Sequence, residues 1–328
     1  MPRCNAHSEC ESGLCDLTSG ACVRAGNILY VAADGTGADC TEATPCGSIQ
    51  QAVDQTGGQH TWIQVGAGSY TETVTITGKS VHIVGAGAEL SPAALQQPCV
   101  HVSGDADVLI EGLRLHDAGG TGDADDGIAC DTSGGVPALR IARALIDGNG
   151  DKGVDAAGCT VAIVQSVVRG NGRGGLLLDG ADLLVINDVI VQNGSPVSAI
   201  GGASVSGLAG SRVEHVTIAD NVVQDGIAGG LICTGGLALR NNIVFGNDEV
   251  GTGQVSGNCP HRFSLIGPTG EDGQGNLTDP PTFTGDYHLA DGSSGIDAAE
   301  ASDVEVDIDG DARPSGDGPD MGADELVR

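Results

Sequence analysis

Three stretches of the chain superimpose when written one under another. They are Ile141-Ala-Arg-Ala-Leu-Ile146-Asp-Gly-Asn149, Ile163-Val-Gln-Ser-Val-Val168-Arg-Gly-Asn171 and Val185-Ile-Asn-Asp-Val-Ile190-Val-Gln-Asn193. The Asn positions are 22 residues apart, and Asn221 and Asn247 continue the series at intervals of 28 and 26. Eight residues before each Asn stands an aliphatic: Ile141, Ile163, Val185, Val213 and Leu239. Three residues before it stands a β-branched one: Ile146, Val168, Ile190, Ile218 and Val244. One unit further back, Ile110 and Leu115 hold the same offsets, with Ala118 in the Asn place.

A helical hairpin would show apolar residues every three or four positions over ten or more residues. Here the apolar stretches are short, β-branched and punctuated by Gly, Asn and Asp, which is strand grammar. A propeller blade needs about 40 residues. Three short strands per turn fit 22. The fold class expected is therefore all-β, a right-handed parallel β-helix in which coils stack and aliphatic columns fill the interior. The 55 Gly suit its corners, where φ is positive or backbones approach closely. Asn149, Asn171, Asn193, Asn221 and Asn247 read as a structural ladder, each amide hydrogen-bonding the next.

The ends need protection, because an open coil exposes unpaired strand edges. Residues 47–56 predict a helix capped by Ser48, with Ile49, Ala52 and Val53 on one face, plugging the N-terminal mouth. The organisation expected is a Cys-rich leader over 1–26, the β-helix over 27–262, and less regular coils with a cap over 263–328.

Composition excludes several classes. The chain has 328 residues, 44 acidic and 14 basic, for a net charge of −30. A nucleic-acid partner is excluded, because such a surface repels phosphates. Hydrophobic residues make up 40%, too many for a disordered acidic chain. No apolar run is long enough to span a membrane. A monomer is expected.

Eleven Cys point to an oxidising compartment, so a secreted or cell-surface location is expected. No signal peptide precedes Cys4, and the export signal is expected to have been removed or to lie outside this chain. Cys4, Cys10, Cys15 and Cys22 staple a leader too short to bury a core; zinc is the less favoured reading, because the gaps exceed those of a zinc knuckle. Cys40 and Cys46 close a small loop. Cys99 and Cys130 each lie 11 residues before a column aliphatic, so they stack in neighbouring coils and form a candidate disulfide. Cys233 with Cys259 is a later pair. Cys159 is then left as a buried thiol; the alternative, Cys130 with Cys159, leaves Cys99 instead.

Two regions resemble known proteins. Tyr30-Val31, Ser48-Ile-Gln-Gln-Ala52, Ile63-Gln-Val-Gly-Ala-Gly-Ser-Tyr-Thr-Glu72 and Val81-His-Ile-Val-Gly85 resemble the entry of pectin-lyase-like β-helix proteins. Gly275-Asn-Leu277, Asp286-Tyr-His-Leu289, Asp307-x-Asp309-Gly310, Arg313 and Asp320-Met-Gly-Ala-Asp-Glu325 are similar to the tail of secreted bacterial β-helix proteins of the choice-of-anchor type. The resemblance implies export and often surface attachment. It implies no activity: that group includes enzymes on acidic polysaccharides and proteins without a known role, and no lyase or esterase catalytic motif is matched.

In a solenoid, a site is built across coils. Asp125-Asp126, Asp151-Lys152 and Gly172-Arg173 fall at one corner of three successive coils, with Asp155 on the next strand and His116, Asp117, Asp123 and Asp131 nearby. Asp125, Asp126 and Asp151 are candidate Ca²⁺ ligands. With a uronate carboxylate held by the metal, Lys152 or Arg173 would take the proton α to it, assisted by Asp155. The competing reading is a charge-alternating ladder. A Lys among carboxylates has a raised pKa, the wrong direction for a base. Aromatic platforms are also scarce: Phe245 alone among seven aromatics falls in the central coils. Asp307-x-Asp309-Gly310-Asp311 resembles part of a calcium loop without its closing Glu; Arg313 with Asp309 or Asp320 is the favoured reading, a lock on the cap.

The function expected is that of an exported surface or interaction protein contacting a glycan or an envelope component. The alternatives are a Ca²⁺-dependent lyase or hydrolase on acidic polysaccharide, and a purely protective scaffold.

Overall fold

A computed structural model describes residues 4–120, 122, 124–225, 228–247, 253–258, 260–267 and 273–327. Three parallel sheets of ten, nine and eight strands run side by side along a solenoid. One coil is Ala138–Ala142, Leu145–Asp147 and Lys152–Ala157, and the next is Thr160–Val164, Val167–Arg169 and Gly174–Gly180. Successive coils pair in register.

The aliphatic columns stack as the spacing requires. Ile83, Ile110, Ile141, Ile163, Val185, Val213 and Leu239 are Cα partners in series. So are Leu115, Ile146, Val168, Ile190, Ile218 and Val244. All are buried. The first column ends at His261, paired with Leu239 and buried, with neither ring nitrogen hydrogen-bonded. Burial pushes its pKa down to about 4.

The Asn ladder continues the same logic. Asn171 Oδ1 accepts from Asn149 N at 3.1 Å and from Asn149 Nδ2 at 2.9 Å. Asn171 Nδ2 in turn donates to Asn193 Oδ1 and to Ile146 O. The ladder starts on Ala118 N–H and ends on Gln254, whose Oε1 accepts from Asn247 N and Nδ2. The residue before each ladder Asn has positive φ, and three of these are Gly148, Gly170 and Gly246. The opposite corner has Gly112 in one coil but no glycine in the six that follow, where Arg143, Gln165, Asn187, His215, Asn241 and Phe263 all have positive φ. Gly153 is required by close approach instead, since a Cβ there would lie 2.4 Å from Val168 Cγ1 and 2.9 Å from Asn171 Nδ2. A second buried polar column, Ser166, Asp188, Asn242 and Ser264, follows the non-glycine corner and accepts backbone N–H groups of the adjoining coil.

Helix α1 (Ile49–Gln55) buries Ile49, Ala52 and Val53. Ser48 Oγ accepts Gln51 N–H, and Glu72 from the coil beneath accepts Ile49 and Gln50 N–H. The edge of the first strand, Ile28–Val31, is covered by the Cys40–Cys46 loop: Tyr30 N donates to Cys40 O, and Cys46 N to Tyr30 O.

The leader holds disulfides Cys4–Cys15 and Cys10–Cys22. It is docked rather than free-standing, with Leu14 and Val23 packed on Ile28, Trp62 and Val84, and His7 Nε2 2.8 Å from Glu111. The expected Cys99–Cys130 bond is corrected: Cys130 bonds Cys159, and Cys99 is free and buried. Cys130 registers with Val102, three residues past Cys99, because the turn before Ile110 is shorter than the one before Ile141. Cys233 is disulfide-bonded, and Cys259 lies outside the described residues.

The tail does more than close the lower mouth. It runs back along the solenoid, where Glu300 O, Val306 O and Asp307 O accept from Asn241, Asn187 and Gln165 in turn. It covers the outward apolar residues Val189, Val191, Ala219 and Ile243 with Phe283, Leu289, Ile308, Met321 and Ala323. Arg313 locks it, pairing at 2.9 Å with Glu325 rather than with the Asp309 or Asp320 carboxylates, and donating to the carbonyls of Asp320 and Gly322.

Asn171→Ala orphans four buried partners and is expected to cost more than about 2 kcal/mol, read as a lower denaturation midpoint in urea. His261→Leu continues the apolar column and is expected to gain about 1 kcal/mol in the same measurement. That gain grows as pH falls from 6.5 toward 4, because only the unfolded imidazole binds a proton in that window.

Candidate functional site

Strand Lys152–Ala157 belongs to the eight-stranded sheet and carries the site. The backbone places its neighbours: Asp151 N donates to Asp125 O at 3.0 Å, and Arg173 N to Asp151 O at 2.8 Å, so these three residues occupy successive rungs. Lys152 N donates to Asp126 Oδ1 at 3.0 Å. The Lys152 side chain, 14% exposed, reaches three carboxylates: Asp151 at 2.8 Å, Asp155 at 3.0 Å and Asp126 at 4.0 Å.

This geometry sets the charge states. Burial alone would lower the Lys152 pKa, but the hydrogen bonds to Asp151 and Asp155 and the charge of Asp126 hold it above the ordinary lysine value. Lys152 is a fixed ammonium. It occupies the cationic position among the carboxylates and offers no lone pair to a substrate proton. Burial pushes the Asp126 carboxyl up to about 7, against the pull of Lys152. The carboxyl so raised belongs to a residue that is 2% exposed.

The other expected members go elsewhere. Asp125 is fully buried, and its carboxylate accepts from Gln96 N at 2.7 Å and Gly122 N at 2.9 Å instead of joining the ion-pair cluster. Arg173 stands exposed on the following rung. His116 lies on the nine-stranded sheet, 2.8 Å from Asp117. Asp131 pairs with His101 at 2.7 Å on the outer face of the eight-stranded sheet, and hydrogen bonds from Ser133 and His101 hold its pKa at about 2. Asp123 lies outside the described residues. Among the thiols, Cys99 is raised to about 12 by burial and is no nucleophile.

A row of outward side chains extends from Asp155 in both directions. Thr75, His101, Ala129, Asp155, Leu177, Ser204, Ile232 and Ser256 are Cα partners in series. Apart from exposed Thr75 they are half-buried. Among the described residues, the leader and tail pack on the other two sheets and their corners. The row could have been read from the alternation in Ile128–Asp131 and Ala203–Gly207, where every second residue is small or polar.

Comparison with known proteins agrees with this architecture. The model of the right-handed β-helix region family matches residues 96–262, half of the chain, and the protein belongs to that family. Among solved structures, the crystal structure of pectate lyase Pel9A superimposes with a TM-score of 0.51 at 15% identity, covering 94% of this chain and 98% of that one. At that identity the likeness is one of fold. No curated protein matches the chain.

Asp126→Asn tests the charge assignment. A carboxyl raised from 3.8 to about 7 on folding favours the folded state below pH 3.8, and that contribution is lost as pH rises through 7. The variant is expected to flatten the fall in melting temperature over this window. An unchanged slope would show that Asp126 titrates normally.

Proposed function

We propose that this chain is a non-catalytic, extracellular β-helix that holds a linear glycan or envelope polymer along its eight-stranded sheet. The observation that carries the reading is the disposition of the faces: leader and tail occupy two sheets, and the third presents a straight row of half-buried side chains. Rungs about 4.8 Å apart suit an extended polymer lying along the axis. The row carries few charges beyond His101 and Asp155, and a net charge of −30 disfavours a polyanion. A neutral or basic polysaccharide fits better. The disulfides support an oxidising compartment, secreted or cell-surface, for a protein working as a monomer.

A second reading is a Ca²⁺-dependent lyase on acidic polysaccharide. Two points favour it: a solved structure of similar fold is a pectate lyase, and burial pushes the Asp126 carboxyl up to about 7. Against it stands Lys152, held as an ammonium by its carboxylates.

Affinity chromatography on immobilised polysaccharides separates the readings. The protein is expected to be retarded by a neutral or basic polymer, and Leu177→Arg or Ser204→Arg on the row is expected to abolish retardation. Incubation with uronate polymers and Ca²⁺ is expected to give no ultraviolet absorbance from unsaturated ends. Absorbance that disappears in Lys152→Ala would establish the lyase reading; no retention on any polymer would leave the chain a scaffold.

A further inference from the structure

We infer that the tail carries a divalent transition-metal site built from His288, Asp309 and Asp324. One donor atom from each lies within 4.8 Å of the other two. The three come from separate segments. His288 precedes Leu289, which bridges back to Phe283. Asp309 sits in a tight turn, and Asp324 lies near the end of the tail.

The turn is organised by Asp307, and this decides which carboxylate is available. Asp307 Oδ1 accepts from Asp309 N at 2.9 Å and Asp311 N at 2.8 Å, while Oδ2 accepts from Glu325 N at 3.0 Å. Its oxygens are used, so the calcium-loop resemblance of this segment does not extend to ligation by Asp307. Asp309 is freed to point outward, and its Oδ2 lies 2.7 Å from His288 Nε2.

A second observation comes from Asp324, which is 7% exposed. Leu289 N donates to its Oδ2 at 2.6 Å, and its other oxygen receives no hydrogen bond among the described residues. That oxygen is not among the buried unsatisfied atoms, so it keeps contact with solvent and is open to a cation. The remaining ring nitrogen of His288 points the same way. Nδ1 is buried, makes no hydrogen bond and lies 3.1 Å from Asp286 Oδ1. A metal on Nε2 places the ring proton on Nδ1, facing that carboxylate. This is the outer-shell arrangement that orients metal-bound imidazoles. One nitrogen and two carboxylate oxygens suit Zn²⁺ and its neighbours better than Ca²⁺, and three protein donors leave a position for water. The inference is independent of any glycan on the opposite face.

The test uses the full chain with its disulfides intact, dialysed against chelator and titrated with Zn²⁺ by calorimetry, with melting followed in parallel. One equivalent is expected to bind and to raise the melting temperature, and Ca²⁺ at the same concentration is expected not to. His288→Ala and Asp309→Asn are expected to abolish the stoichiometric event. Asp286→Asn, outside the ligand set, is expected to weaken it roughly tenfold. Asp324→Asn keeps an acceptor for Leu289 N–H and so tests the ligand without removing the contact. His60→Ala, exposed and far along the chain, is the control and is expected to bind as the parent does. Failure of the parent to bind Zn²⁺, binding that survives His288→Ala with the variant folded by circular dichroism, or equal response to Ca²⁺ would each overturn the site.

Discussion

The constraint on which the structure depends is the satisfaction of backbone N–H groups where the coil turns. Strands satisfy their own groups through the neighbouring coil, but a corner leaves the ladder and enters a buried environment. Each ladder Asn solves this with one carboxamide: the oxygen takes a backbone and a side-chain donor from the preceding coil, and the nitrogen reaches a carbonyl and the next amide, which for Asn247 is that of Gln254. Because the solution is shared between coils, it fixes register as well as energy. A slip of one residue would strand every rung. The second corner answers the same need with hydroxyls, a carboxyl and another amide, Ser166, Asp188, Asn242 and Ser264. Its chemistry varies from coil to coil because the acceptor need only be short and polar.

Register also explains what could be read in advance. The winding was visible in Ile141, Ile163 and Val185 because burial imposes the same residue type at the same phase in every coil. Counting failed where turn length varies: Cys99 and Cys130 share an offset to their aliphatics yet miss by three residues, since only the strands keep phase. Gln254 ends the Asn column without being Asn, so no periodic signal marks it. At the candidate site, spacing brought Asp126, Asp151, Lys152 and Asp155 together. Asp125 turns away from them, because the direction of a carboxylate at a corner depends on which loop offers N–H groups, here Gln96 and Gly122. Arg173 is on the expected rung, but a rung address says nothing of where a long side chain goes.

The nine-stranded sheet carries a cue about the tail that is local to three-residue strands. Upstream, Arg114–His116 and Leu145–Asp147 bear polar residues on their outward side. Downstream, Val189–Val191 and Ile243–Phe245 are apolar throughout. Strands buried on both faces read as continuous hydrophobic runs, and the tail lies where the pattern changes. The leader uses the complementary place, the first coils of the ten-stranded sheet around Trp62 and Val84.

Stacked repeats ordinarily melt as a row of weakly coupled units, each answering only to its neighbours, and fray from the open end inward. A strap bonded to Gln165, Asn187 and Asn241 ties two adjoining coils to a third that lies two coils further on. Release of any one of these coils must strip the strap from the others, so the lower solenoid exchanges its amide hydrogens as one body while the coils above it open separately.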